Sequence, residues 1–259
     1  MLKKTMMLGV LAGCLICVFV SVQAQAELVG HWSFDDRGEV GSLGESADGD
    51  TACDTTSYSK DGTIHGCKWG WKATNDNSAV CGGGLSFDGV DDYVEVLNYA
   101  PWSLSLAQRM TLSLWLKTTH TGSNQGILSL YDNHGEWNYQ LYSASNGKIR
   151  YNIGKDNTWA TTLTSNQSVN DGSWHFVTAK YDGGNMYIYI DGVLDNTVPE
   201  TRVCGSGQKA YIGTCTYNAD VTIVYGPSDV PFHGAIDEVR IYNYALTADE
   251  ITKLLLIKK

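Results

Sequence analysis

Proline is scarce, with four in 259 residues, and charged side chains make up only 18% of the chain. So little proline excludes a collagen-like or proline-stiffened architecture, and so few charges exclude a coiled coil or a solvated disordered tract. Basic residues are the scarcer sign, 18 Lys and Arg against 28 Asp and Glu, for a formal charge of -10. That deficit disfavours a partner built on a phosphate backbone, so nucleic acid is not expected. Long apolar runs are missing everywhere except at the N-terminus. Gly-x-Ser-x-Gly, His-Glu-x-x-His and a phosphate-cradling glycine loop are missing too, which removes the common hydrolase, zinc-protease and nucleotide signatures.

The one long apolar run, Met6 to Val22, follows Lys3 and Lys4 and precedes Gln23-Ala24-Gln25-Ala26. A positive start, an apolar stretch and a small-x-small ending read as a signal peptide over residues 1–26. The alternatives are a retained anchor, or lipidation at Cys14 in the lipobox-like Leu11-Ala12-Gly13-Cys14. Removing 26 of 259 residues leaves 233, and with two lysines gone the formal charge is -12. No later segment has the length and apolarity of a transmembrane helix. The expected location is secreted or cell surface.

Five cysteines remain after residue 26: Cys53, Cys67, Cys81, Cys204 and Cys215. An exported chain favours disulfides, and the expected pairs are Cys67 with Cys81 and Cys204 with Cys215. Cys53 is left over, either unpaired or exchanging with one of the first two. The only Cys-x-x-Cys, Cys14 to Cys17, lies inside the signal, so neither a redox pair nor a zinc ribbon is expected.

Glycine and aromatic residues are plentiful: 28 Gly, 15 Tyr and 8 Trp. The remaining chain reads as short alternating strands broken by Gly, Asn and Asp. Thr111 to Lys117 alternates with period two and directs Leu112, Leu114 and Leu116 to one face. Trp174 to Tyr181 and Met186 to Asp191 form a hairpin across Asp182-Gly183-Gly184-Asn185. One helix is expected, opened by the capping box Thr247-Ala248-Asp249-Glu250. A single short helix cannot cover a sheet, so two antiparallel sheets must bury each other. The fold class is therefore all-β, a two-sheet antiparallel sandwich with one short C-terminal helix.

Several stretches in order resemble the laminin-G-like, concanavalin A-like lectin/glucanase jelly-roll superfamily, and its bacterial pentraxin-like branch in particular. They are Leu28-Val29-Gly30-His31-Trp32-Ser33-Phe34-Asp35, Asp61-Gly62-Thr63-Ile64, and Leu85-Ser86-Phe87-Asp88-Gly89-Val90-Asp91-Asp92-Tyr93-Val94. Trp174-His175-Phe176-Val177, Tyr187 to Gly192 and Gly234 to Asn243 complete the set. The resemblance implies one jelly-roll domain over 27–259. Trp32, Phe87, Trp115 and Trp174 are expected to pack between strands rather than to bind a ligand.

The resemblance also implies a structural calcium, since related chains carry an acidic glycine-rich loop after the first strand. Here that span runs from Asp54 to Asp61-Gly62-Thr63 with its two central glycines replaced by serine. Asp54, Asp61 and Asp237 are the expected ligands. Calcium requires six to eight oxygens, and small loop residues let carbonyls turn inward. The Asp88–Asp92 turn is expected to shape a strand crossing and is a weaker ligand set.

Sugar sites combine an aromatic platform with amide, carboxylate or imidazole groups. Asp132, Asn133, His134, Trp137 and Asn138 have that mixture in a turn, Trp159 with Asn157 forms a second set, and Trp69 with Trp71 a third. The Glu-x-Asp-x-x-Glu and Glu-x-Asp-x-Glu patterns of jelly-roll glucanases do not occur, so no enzyme activity is expected. The expected function is an exported non-catalytic recognition domain that binds glycan through surface loops. Its alternative is a structural or adhesive surface protein that forms a homo-oligomer or binds other surface proteins, favoured by the apolar run Leu254 to Ile257.

Overall fold

The computed structural model describes residues 26–35, 45–70, 84–97, 109–131, 137–155, 158–201, 209–215 and 230–257. The signal segment, Cys81, Cys204, Trp71, Asn157 and the expected strand at 219–224 lie outside the described residues.

The first strands are β1 (Leu28–Trp32), β2 (Thr51–Ala52), β3 (Gly62–His65), β4 (Lys68–Gly70), β5 (Gly84–Asp88) and β6 (Tyr93–Leu97). Longer ones follow: β7 (Met110–Lys117), β8 (Gln125–Tyr131), β9 (Trp137–Ser143), β10 (Lys148–Lys155) and β11 (Thr158–Ser168). The chain closes with β12 (Trp174–Tyr181), β13 (Asn185–Ile190), β14 (Val193–Pro199), β15 (Lys209–Ile212), β16 (His233–Tyr242) and α1 (Ala248–Leu255).

Two antiparallel sheets result. The front sheet runs β14-β13-β12-β7-β16-β5-β4, with β1 pairing to β16. The back sheet runs β11-β10-β9-β8-β15-β6-β3-β2. The period-two reading of β7 holds: Leu112, Leu114 and Leu116 enter the core between the sheets, and Trp115 faces the other way. Burying one such leucine is worth about 1.5–3 kcal/mol. Trp32 and Phe87 pack in the same core, while Trp115 and Trp174 join the outer cluster under the helix.

The capping box forms as expected. Glu250 donates its backbone N–H to Thr247 Oγ1 at 3.3 Å, and Thr247 N–H is received by Glu250 Oε2 at 2.7 Å. The helix then lays Ile251, Leu254 and Leu255 over Tyr242, Trp115 and Phe176, covering the outer face of the front sheet. Leu256 and Ile257, beyond the helix, stay exposed.

Strand β16 carries a bulge. Its pairing with β7 shifts between Asp237 and Arg240, and Glu238 has φ 54°. The bulge changes the alternation, so Ile236, Val239 and Ile241 all reach the core. Glu238, outside it, accepts from Arg240 and pairs with His31 of β1. His31 Nε2 lies 2.8 Å from Glu238 Oε2, and Arg240 pairs with the same oxygen. The first and last strands are thus joined by a side-chain contact as well as by the ladder.

Candidate functional site

Alternation on the back sheet sends Ile64, Val94, Val96, Leu141, Ile149, Tyr151, Ile153 and Leu163 inward. The intervening positions form the outer face. Across its middle, direct cross-strand partners run Thr51, Thr63, Glu95, Tyr211, Ser129, Gln140, Asn152 and Thr162. Every member carries a hydrogen-bonding side chain. At about 4.8 Å per strand the row is about 34 Å wide, the scale of an oligosaccharide.

An aromatic ladder lies beside the row. His65 stacks on Tyr93 with ring centroids 4.4 Å apart, and Tyr93 meets Tyr211 edge to face at 6.0 Å. Glu95 Oε1 receives the Tyr211 hydroxyl at 3.2 Å and the Lys209 ammonium at 2.6 Å. Burial raises both phenol pKa values, and the Glu95 charge raises them further, so both rings stay neutral donors. Half-buried rings beside a carboxylate, an ammonium and threonine hydroxyls offer an apolar surface rimmed by donors and acceptors.

A chain crossing limits this face. Ser129 Oγ donates to Thr214 O at 3.0 Å, and Tyr142, Cys215, Tyr211 and Val230 cluster there. Gly126 makes the crossing feasible: a Cβ at that position would sit 2.1 Å from Cys215 N. Beyond the crossing, Arg150 and Asn152 of β10 face outward beside Tyr142 and Gln140 of β9.

The sequence-predicted sugar residues divide by what is described. Asp132, Asn133 and His134 lie outside the described residues. Trp137 and Asn138 begin β9, with Trp137 paired to Tyr131, and Trp159 is the second residue of β11, paired to Gly154. Since β10 pairs with both β9 and β11, the register brings the start of β9 and the start of β11 to one end of the back sheet. Trp69 is different. It is buried, and its Nε1 donates to Asp50 Oδ2 at 2.8 Å, so it holds a loop.

The expected calcium ligands are not brought together. Asp54 is taken up by its own loop: Oδ1 receives His31 N–H and Thr56 N–H at 3.0 Å each, and Oδ2 receives Thr56 Oγ1 at 2.8 Å and Lys60 N–H at 2.9 Å. Asp61 Oδ1 receives Asp54 N–H at 2.9 Å. Four donors on one carboxylate do what a cation would otherwise do, folding the loop around a negative charge. Asp237 is fully buried in β16, where its Oδ1 receives Glu238 N–H at 2.7 Å. Asp54, Asp61 and Asp237 therefore act as hydrogen-bond acceptors and do not form a group with metal-compatible spacing.

Among the described residues, the acidic group with metal-compatible spacing is Asp88, Asp91 and Asp92, whose ligand atoms lie within 4.8 Å of one another. Burial and the charges of Asp88 and Asp91 push Asp92 up to about 6, against the opposing hydrogen bond from Asp88 N–H. A cavity of about 220 Å³ adjoins this turn, lined by Asp88, His120, Ser123, Asn124, Gln125 and His233 among others. It lies at the Gln125 end of β8.

The expected Cys67–Cys81 bridge is corrected. Cys67 is a free buried thiol, donating toward His65 O at 3.4 Å and Tyr93 O at 3.8 Å. Burial raises its pKa strongly. Cys204 of the second expected pair lies outside the described residues, and Cys215 is buried against Tyr142.

Residues 88–252 match the family model of the Concanavalin A-like lectin/glucanases superfamily. The chain belongs to that superfamily. Among solved structures, this lectin/glucanase-type domain is similar to domain 4 of AbnA, a GH43 extracellular arabinanase from Geobacillus stearothermophilus, in complex with arabinotriose. The TM-score is 0.58 at 20% identity, covering 90% of this chain and 100% of that one. It is also similar to the botulinum neurotoxin serotype G binding domain, with TM-score 0.61, 14% identity and coverage of 88% and 50%. A third is the binding domain of botulinum neurotoxin DC in complex with SialylT, with TM-score 0.58, 15% identity and coverage of 84% and 51%. The chain spans about half the length of the neurotoxin chains it matches. At these identities the likeness is one of fold.

Among the described residues, the polar row holds no pair of carboxylates suited to hydrolysis. A retaining glycosidase requires two carboxylates about 5–5.5 Å apart. Glu95 is the only carboxylate among the described outward strand residues in the row, and it is engaged by Lys209 and Tyr211. The other adjacent pair, Asp237 and Glu238, is buried and taken up by backbone, His31 and Arg240.

The sequence reading passed over Tyr93, Glu95, Lys209, Tyr211, Gln140, Arg150 and Asn152. Each stands at an alternate, polar position within a strand that was recognised for its apolar residues. The signal was the other half of the period-two pattern, read across strands instead of along one.

Proposed function

We propose that the protein is an exported, non-catalytic recognition domain that binds glycan on the outer face of its back sheet. The observation that carries this is the polar cross-strand row from Thr51 to Thr162, crossed by the chain at Ser129, with the His65–Tyr93–Tyr211 ladder beside its more exposed Thr51–Tyr211 part. Aromatic faces take the apolar side of a pyranose, while amides and hydroxyls take its rim. Asp132, Asn133, His134, Trp137, Asn138 and Trp159 are candidate contacts for the same ligand in this reading. Structures of similar fold in complex with arabinotriose and SialylT support the reading.

Within it, residues 1–26 are the signal peptide, 27–259 the working domain, and the location is secreted or cell surface. Among the described residues no helix is long and apolar enough to cross a membrane. The ordered motifs from Leu28 to Asn243 support the pentraxin-like branch as the finer placement. Calcium, in this reading, belongs to the Asp88–Asp92 turn, where a cation would relieve three crowded carboxylates.

Glycan-array binding tests the reading: wild type binds and Tyr93→Ala with Tyr211→Ala does not. Equal binding by both, or none by wild type, overturns it. A second reading, adhesion through self-association, is favoured by the exposed Val193, Leu194, Leu256 and Ile257, where Leu255 packs beside Gly192. Concentration-dependent assembly in light scattering, lost in Leu256→Asp, would support it.

A further inference from the structure

The glycan reading leaves the charge of the sugar open, and one residue on the outer face bears on it; the inference below rests on that reading. Arg150 lies in β10, opposite Tyr142 of β9 and Thr164 of β11. Its guanidinium carbon stands 5.9 Å from the centre of the Tyr142 ring, and the side chain is half-buried.

Among the described residues no carboxylate pairs with it, and its Nε is buried without a hydrogen-bond partner. The chain has 28 acids for 18 basic residues, so anionic partners are abundant. Two other cations use them: Arg240 pairs with Glu238, and Lys209 with Glu95. A partly desolvated guanidinium with no anion is costly to keep, and the cost falls when a ligand supplies one.

A second, independent group faces the same way. Asn152, two residues along β10, is 5% exposed, and its Oδ1 is also buried without a donor. A guanidinium beside an amide oxygen asks for an anion beside a hydroxyl. The Thr162 and Thr164 positions of β11 flank the pair with further hydroxyls. A sugar acid offers that combination, its carboxylate one or two bonds from ring hydroxyls. A guanidinium takes a carboxylate through paired N–H donors, a geometry that an ammonium lacks. The chain's net charge of -10 disfavours densely charged polyanions and tolerates a single carboxylate.

We propose that the β9–β11 part of this face binds a carboxylate-bearing sugar residue, a uronate or a sialate, with Arg150 on the carboxylate and Asn152 on a neighbouring hydroxyl. The test is titration calorimetry of the purified protein with 3′-sialyllactose and trigalacturonate, against lactose and 3′-sulfolactose as controls. Wild type should prefer the carboxylated probes, and the preference should weaken as salt rises. Arg150→Gln should lose about tenfold or more in affinity for them, in line with loss of a charge-assisted contact. Arg150→Lys should recover only part of it. Asn152→Ala, which leaves the guanidinium in place, should weaken the same probes and leave the salt dependence intact. Melting curves establish that each variant is folded.

Equal affinity for lactose and 3′-sialyllactose, unchanged by Arg150→Gln, would overturn the inference while leaving the glycan reading standing. Stronger binding of 3′-sulfolactose than of either carboxylated probe would overturn the carboxylate assignment in favour of sulfate. Binding of none of the four, together with an empty glycan array, would remove the glycan reading and this inference with it.

Discussion

Tyr211 donates its hydroxyl proton to Glu95 at 3.2 Å across the β15–β6 ladder, and the same carboxylate oxygen holds the Lys209 ammonium at 2.6 Å. One oxygen therefore fixes the tilt of an aromatic ring and the position of a cation on the face that carries the polar row. Surface ion pairs of this kind add little stability, typically 0.2–1 kcal/mol. Their effect here is positional. Glu95→Gln is expected to leave the melting temperature almost unchanged while weakening ligand binding; a large loss of stability instead would assign the trio a structural role.

The His31–Glu238–Arg240 network makes a different demand. Glu238 and Arg240 are both buried, and removing the carboxylate strands the guanidinium. Glu238→Ala is expected to cost about 3–5 kcal/mol in chemical denaturation, the range for breaking a buried pair. Replacing both residues with apolar ones of similar size should restore part of that. A loss below about 1 kcal/mol for Glu238→Ala would mean that solvent reaches the network.

His175 offers a pH test. Its Nδ1 lies 2.9 Å from Asp191 Oδ2 and its Nε2 3.2 Å from Asp171 Oδ1. The hydrogen bond to Asp191 raises its pKa most, opposed by burial and helped by both charges. A raised folded pKa means that the imidazolium stabilises the fold below about pH 6.5, and that this contribution is lost as pH rises through the higher folded value. The melting temperature should fall across that window in wild type, and the step should shrink in His175→Gln. An identical profile in both would place the titration elsewhere.

Cys67 is expected to be a thiol. Burial keeps it protonated, so iodoacetamide at pH 8 should leave it unlabelled in the native protein. Alkylation after denaturation without reductant should label the Cys67 peptide fully. Labelling that requires prior reduction would restore the disulfide expected from its spacing to Cys81.

The loop 54–61 and the 88–92 turn respond differently to calcium. Asp54→Ala removes an acceptor of four hydrogen bonds and should lower stability by about 1–3 kcal/mol, equally with calcium or with chelator. Calcium should raise the melting temperature of wild type and not of Asp91→Asn, because a ligand bound only to the native state stabilises by mass action. A melting temperature unmoved by either calcium or chelator would remove the cation from the account.

Much of the fold was legible because apolar residues and caps report burial and helix ends directly. The strand Trp174 to Tyr181 came out with the observed bounds, and Thr247 with Glu250 marked the helix. Strands β11 and β14 were passed over for a physical reason. They lie at the sheet ends, β14 has no fully buried position, and Leu163 is the one β11 residue in the core among those whose side chains are described. Asp237 was misread because a bulge cannot be seen in one strand's sequence: Glu238 at φ 54° resets which residues share a face. The binding face itself depends on register between strands far apart in the chain, such as Glu95 with Tyr211, which no local pattern encodes.

Glycan affinity of Tyr211→Ala beside Trp69→Ala tests the central claim most directly. Trp69 is a buried loop anchor and Tyr211 a member of the recognition ladder. With both variants confirmed as folded, the expected result is loss of binding in Tyr211→Ala and retention in Trp69→Ala. Retention of full affinity in Tyr211→Ala would contradict recognition on the outer face of the back sheet.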